Sequence, residues 1–159
     1  MTLYIKQRVF SFGDKFSIYD EAGNERYHVE GEVFTFGKKL HLYDHEHREL
    51  AFIRQRLLSI PTKFEIMQNG EMTAELVKKF TFFRSEYVMN GPDWKVHGDF
   101  SCHNYEVTSY DQRIIRFSKA WFTLGDAYQI DISDSADEIL ALAIVLAIDA
   151  VVDLESNNN

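Results

Sequence analysis

One cysteine, two prolines and eight glycines in 159 residues already remove several protein classes from consideration. A lone Cys102 cannot close an internal disulfide, so a disulfide-stapled secreted scaffold is excluded and no oxidising compartment is implied. So little proline and glycine argues against a collagen-like or low-complexity chain. Met1-Thr2-Leu3-Tyr4-Ile5-Lys6-Gln7-Arg8 has no continuous apolar run and no small-residue cleavage site, so no secretory signal is read there. No stretch reaches the roughly 20 apolar residues that a membrane-spanning helix needs. The longest apolar run, Ile139 to Val152, is shorter and is flanked by acids. A soluble, cytoplasmic chain that does not cross a membrane is expected. Basic residues also stop at Lys119: from Ala120 to Asn159 the eight charged side chains are all acidic. The net charge is −8; of 25 acids, those eight lie in the tail, which leaves 17 acids against 17 bases before it. A chain with no basic excess lacks the counterion-releasing face that nucleic acids require, so no nucleic-acid partner is expected. Nucleophile elbow, P-loop, dinucleotide fingerprint and His-Glu-x-x-His are missing too. The expectation is a non-enzymatic protein without a cofactor.

What is present is β-structure. The chain is 45% apolar and 14% aromatic, and period-2 alternation broken by turn signals recurs along it. Twelve strands are predicted: Leu3–Phe10, Lys15–Asp20, Glu25–Phe34 (bent or bulged at Gly31), Lys39–Asp44, Glu49–Arg56, Thr62–Gln68, Glu71–Lys78, Arg84–Met89, Trp94–Asp99, His103–Ser109, Arg113–Lys119 and Ala127–Ile132. Asn69-Gly70 is the strongest hairpin signal among them. Ile18-Tyr19-Asp20, Leu42-Tyr43-Asp44 and Ser109-Tyr110-Asp111 each end a strand on Tyr-Asp, where Asp opens a turn through its own side chain.

One segment differs. Ser135 followed by Glu138 reads as a capping box, and Asp149 is the only polar side chain between Ile139 and Val152. A helix apolar all round must be buried all round. An open sheet covers one side of such a helix, whereas a closed barrel covers every side and leaves no edge. About eight strands already make a barrel that side chains alone can fill, so twelve leave room for a plug. Ile139, Leu140, Leu142, Ile144, Val145, Leu146 and Ile148 are the expected plug, with Ala141, Ala143, Ala147 and Ala150 letting strands approach. Asp149 is expected to emerge at the barrel mouth, the alternative being full enclosure against a partner such as an Arg or Tyr. The reading is one mainly-β domain over 1–154, a closed antiparallel barrel around a hydrophobic C-terminal helix, with a disordered polar tail at 155–159.

Several stretches resemble the LURP-one-related (LOR) family. They are Asp126-Ala127-Tyr128-Gln129-Ile130-Asp131-Ile132 leading into the helix that ends Ala147-Ile148-Asp149, the hairpin strand Leu40-His41-Leu42-Tyr43-Asp44, the bend Leu57-Leu58-Ser59-Ile60-Pro61 and the strand Ile115-Arg116-Phe117-Ser118-Lys119. The small bacterial members are similar in length. The resemblance implies the twelve-stranded, helix-plugged barrel shared with tubby C-terminal domains and phospholipid scramblases. It implies no catalytic residue.

Three groups of side chains are candidate sites. Tubby-type domains bind phosphoinositides through cationic surface groups, and Arg54, Arg56, Lys63, Lys78, Lys79 and Arg84 fall in one region here, beside Phe80, Phe82 and Phe83. They are the candidate anionic-lipid site, provided they share one outer face. His45 and His47, in Asp44-His45-Glu46-His47, are weak metal-ligand candidates, because a hairpin tip rarely supplies the four ligands of a structural site. Cys102 and His103, adjacent on a strand, would point to opposite faces and form no catalytic pair. The expected function is therefore binding or scaffolding, with an unknown protein or small polar partner; the alternative is a peripheral membrane module. Since the helix fills the lumen, any site is expected outside the barrel or at its ends.

Overall fold

The computed structural model describes residues 1–5, 15–80, 85–100, 102–120 and 127–156. In chain order its elements are β1 (Thr2–Ile5), β2 (Lys15–Asp20), β3 (Glu25–Gly31), β4 (Lys39–Asp44), β5 (Glu49–Gln55), β6 (Lys63–Gln68), β7 (Glu71–Phe80), β8 (Ser85–Asn90), β9 (Lys95–Asp99), β10 (Asn104–Ser109), β11 (Gln112–Lys119), β12 (Tyr128–Ile132) and α1 (Glu138–Ser156). Every strand pairs antiparallel with its chain neighbours, and β12 closes the barrel on β1 from Thr2↔Asp131 to Ile5↔Tyr128. The barrel expected from the residue pattern is therefore the fold. β2 and β4 have the expected bounds, and β3 stops three residues early because 32–38 form a loop. Residues 6–10 of the first expected strand lie outside the described residues.

Alternation sends one face of each strand inward. Phe16 and Ile18, Phe64 and Ile66, and Tyr105 and Val107 are buried, with less buried residues between them. Gly31 pairs regularly with Leu40, so no bulge forms there. The register instead shifts between Ile18 and Tyr19 and between Leu42 and Tyr43, just ahead of two of the Tyr-Asp endings. The cause is local. Asp20 Oδ1 accepts the Asn24 N–H at 2.8 Å, and Asp44 Oδ1 accepts the Glu46 and Arg48 N–H groups at 2.8 and 3.0 Å. Each carboxylate draws the chain round, and the extra residue is taken up as a bulge.

α1 fills the lumen, and every residue from Leu140 to Val151 is buried. Ala141, Ala143, Ala147 and Ala150 have 0% exposure, as close backbone approach requires. Ile139, at the rim, is only half-buried. The start of α1 corrects the capping expectation. The cap is Asp137, whose Oδ1 accepts the Leu140 N–H at 3.0 Å. Ser135 bonds Ser133 instead, and Glu138 accepts the Tyr27 hydroxyl at 2.6 Å. A cap two residues closer to the apolar run lets α1 turn inward directly. At the other end α1 continues through Ser156, so Glu155, grouped with the tail above, belongs to its last turn. α1 has no basic residue in that turn. Lys38 and Lys78 from the barrel pair with Asp153 and Glu155 there, which places cations at the negative end of the helix dipole. No helix among the described residues is long and apolar enough to cross a membrane.

Candidate functional site

The antiparallel order gives the barrel two unlike ends. α1 enters through the end that carries the β2–β3, β4–β5, β6–β7, β8–β9 and β10–β11 turns. It stops at the opposite, exit end, where the β3–β4 loop (32–38) and the β5–β6 loop (56–62) lie side by side.

Those two loops are the most unusual surface among the described residues. Phe34 is 101%, Phe36 88%, Leu58 104% and Ile60 92% exposed. Phe34 and Leu58 also sit at φ of 61° and 57°, a left-handed backbone that bulky side chains avoid. Such strain, roughly 1–3 kcal/mol per residue, persists only where the surroundings impose it, and it gathers at functional sites. The loops hold each other in place. A Cβ added to Gly37 would lie 2.7 Å from Leu57 Cδ2, and Gln55 Oε1 accepts the Lys38 N–H at 3.0 Å. The apolar tips are thus presented by a braced scaffold at the end of a closed barrel, where a side chain has no interior to turn into.

Lysines ring this end. Lys15, Lys39, Lys63 and Lys119 are each the exit-end terminal residue of a strand, and Lys79 is next to last in its own. Arg56, 57% exposed at its side chain, immediately precedes Leu57. Lys15, Lys39 and Lys63 reach Glu30, Glu32 and Glu75 at 2.9, 2.9 and 3.4 Å. The exposed Lys15–Glu30 pair contributes about 0–1 kcal/mol, and the other two are part-buried. At the entry end, the described turns and the β12–α1 link carry Glu21, Glu46, Asp93, Asp111, Asp134 and Asp137, with Arg48 as their only Lys or Arg. The entry-end turns are therefore acidic while lysines gather at the exit-end strand termini, with Lys95, at the start of β9, the exception.

The six basic residues singled out in the sequence do not line up as one basic face. Arg54 lies on the outer wall, its Nε 2.7 Å from Glu65 Oε2. Arg56 lies 4.0 Å from Glu65 and 3.9 Å from Glu75, and Lys63 also reaches Glu75. Three bases and two acids thus form a mixed network. Lys78 turns inward to Glu155, Lys79 is exposed beside Glu86 in register, and Arg84 lies outside the described residues. Of the metal candidates, His45 is exposed 3.9 Å from Glu46, and His47 packs its ring 4.6 Å from that of His28. Among the described residues no three His, Cys, Asp or Glu side chains gather to hold a metal.

Asp149 corrects a further expectation. It does not emerge at the mouth but is 2% exposed. The exit-end turn before β10 folds over it and brings His103 Nδ1 to 3.1 Å from its Oδ1. His103 belongs to that turn, at φ 50°, rather than to a strand. The approach is off line for a hydrogen bond, and neither atom has another partner. Burial raises the Asp149 carboxyl above the usual carboxylate range, opposed by His103 and Lys38. The Tyr87 and Tyr105 hydroxyls, also buried without partners, are held high mainly by their own burial and further by the Asp149 charge, Tyr87 at about 12. Cys102, beside His103, is exposed.

Comparison with known proteins adds family and fold. The chain is 33% identical over 149 residues to an uncharacterised protein, YxjI, of Bacillus subtilis, covering 94% of this chain and 92% of that one. It superposes on the X-ray structure of a protein from Arabidopsis thaliana with a TM-score of 0.67 at 15% identity, covering 94% of this chain and 91% of that one, a likeness of fold alone. Residues 1–149 match the profile described as LURP-one-related, and with that match the chain belongs to the LOR family.

Proposed function

We propose that this protein is a non-enzymatic, peripheral membrane-docking module. Its exit end meets an anionic lipid surface, the cytoplasmic leaflet being the natural one because its surface potential is negative. The observation that carries this reading is the pair of braced loops that hold Phe34, Phe36, Leu58 and Ile60 out in water, Phe34 and Leu58 at a strained backbone. Moving one such side chain out of water is worth about 1.5–3 kcal/mol, so even shallow insertion of four offsets the cost of their exposure. The lysine rim supports the same orientation, because phosphate oxygens can replace the glutamates that now face it. The acidic entry end then points away from the surface, and membrane and protein fields agree. A tip-led mode of contact replaces the wall of basic residues read from the sequence.

Co-sedimentation of the full chain with phosphatidylcholine vesicles, with and without phosphatidylglycerol, tests this reading. The expected result is binding to the mixed vesicles that weakens with salt. Phe34→Ser with Leu58→Ser should reduce it at least tenfold, since 1.4 kcal/mol is a factor of ten, while the melting temperature stays put. Failure of the unaltered protein to bind either vesicle would overturn the proposal.

A further inference from the structure

We infer that Asp149 and His103 form a proton-operated latch that seats the last two turns of α1 in the exit end of the barrel. Asp149 is the one charged side chain of the helix sealed inside the lumen among the described residues, at 2% exposure. A buried carboxylate requires partners, yet among the described residues neither of its oxygens receives a well-aligned hydrogen bond, and the polar group that comes near is His103 Nδ1. Its surroundings come from five elements. His103 of the turn before β10 lies 3.1 Å away. Tyr87 of β8 and Tyr105 of β10 present buried, unpartnered hydroxyls within its field. Lys38 of the 32–38 loop opposes its charge shift, and Asp153 on α1 reinforces it.

The half-exposed imidazole (29% at the side chain) is the route by which a solvent proton reaches this interior. With a proton on the carboxyl, α1 seats without an uncompensated charge. Without it, an anion stays inside that only His103 and Lys38 offset, and exposing the helix end relieves it. The sign follows from linkage. A carboxyl held above its ordinary value of 3.8 in the closed state keeps its proton there while the open state has lost it. Closure is therefore favoured at low pH and weakens as pH rises above that value.

The latch also reaches the surface. Asp153 lies one turn beyond Asp149 on the same helix face, and it grips Lys38, whose backbone belongs to the loop bearing Phe34 and Phe36. Movement of the end of α1 is thus passed to the apolar tips. This inference goes beyond the docking proposal and does not depend on it, because the test contains no lipid.

Amide hydrogen exchange of the full chain, corrected for intrinsic rates between pH 4 and 8, reads the opening of residues 146–156. The opening constant is expected to rise by up to tenfold per pH unit within the window, as release of one proton dictates. Asp149→Asn should flatten the profile, and His103→Gln should carry the rise to higher pH, because His103 opposes the upward shift of the carboxyl. If a variant does not fold, the ¹³C shift of the Asp149 carboxyl in the unaltered protein decides. Titration at or below the ordinary carboxylate value, or parallel profiles for wild type and Asp149→Asn, overturns the latch.

Discussion

Gly98 stands at φ 137°, and a Cβ built there would lie 2.5 Å from Tyr105 Cα on the neighbouring strand. Gly23 has a comparable positive φ of 83° but open space around it. The two positions separate backbone strain from steric exclusion. Gly23→Ala should cost about 1–2 kcal/mol, the price of a left-handed backbone with a Cβ. Gly98→Ala should cost distinctly more, because β10 must also move. Equal losses in urea denaturation would mean that the β9–β10 contact is softer than it looks. At this scale the sequence reveals types and conceals surroundings. Asp149 stood out as the only polar residue in its run. Whether it reached water depended on how far the turn holding His103 folds over the helix, which no local pattern encodes. Phe34, Phe36, Leu58 and Ile60 passed as strand and bend residues, because exposure is decided by neighbours that come from elsewhere in the chain. One signal was available: apolar residues crowded into a turn-length segment between strands of a closed barrel have no core to face.

α1 was the most legible element, since a run apolar on all sides admits only burial. Its beginning was less so. Ser135, Asp137 and Glu138 all fit capping patterns, and the choice of Asp137 follows from where the last strand delivers the chain. Asp137→Ala should therefore lower stability by about 0.5–2 kcal/mol, and Ser135→Ala should leave it nearly unchanged. The reverse order in thermal unfolding would restore the capping box read from the sequence. The strands were legible through alternation, whereas the bulges were not. Two of the register shifts precede the Asp20 and Asp44 side-chain turns, two others lie at Ile66/Met67 and Val107/Thr108, and none lies at Gly31.

For the molecule as a whole, the separation of apolar tips, lysine rim and acidic pole predicts one orientation at a lipid surface. A tryptophan at position 36 (Phe36→Trp) should shift to the blue on adding anionic vesicles. One at position 110 (Tyr110→Trp), where Tyr110 is 84% exposed in an entry-end turn, should not shift. A shift at both positions, or only at 110, would exclude the tip-led orientation. Charge counting alone showed a balanced body and an acidic tail. The polarity arises because five of the lysines at or next to a strand end, Lys15, Lys39, Lys63, Lys79 and Lys119, fall at one rim, with Lys95 alone at the other, a fact of topology rather than of composition.

The closing seam has a consequence for how the protein is made. Among the described residues β1, formed by Thr2–Ile5, pairs with β2 and β12, and β12 is synthesised more than 120 residues later. During translation the first strand therefore keeps one edge open until the final strand leaves the ribosome, and the apolar helix that fills the centre follows later still. Until then the ribosome holds a curved, unsealed sheet whose inner face has no cover. Sheets left open in this way invite pairing with other chains. A cell making this barrel quickly should thus rely on chaperones until β12 and α1 have emerged, and slower decoding between β11 and α1 should worsen its yield.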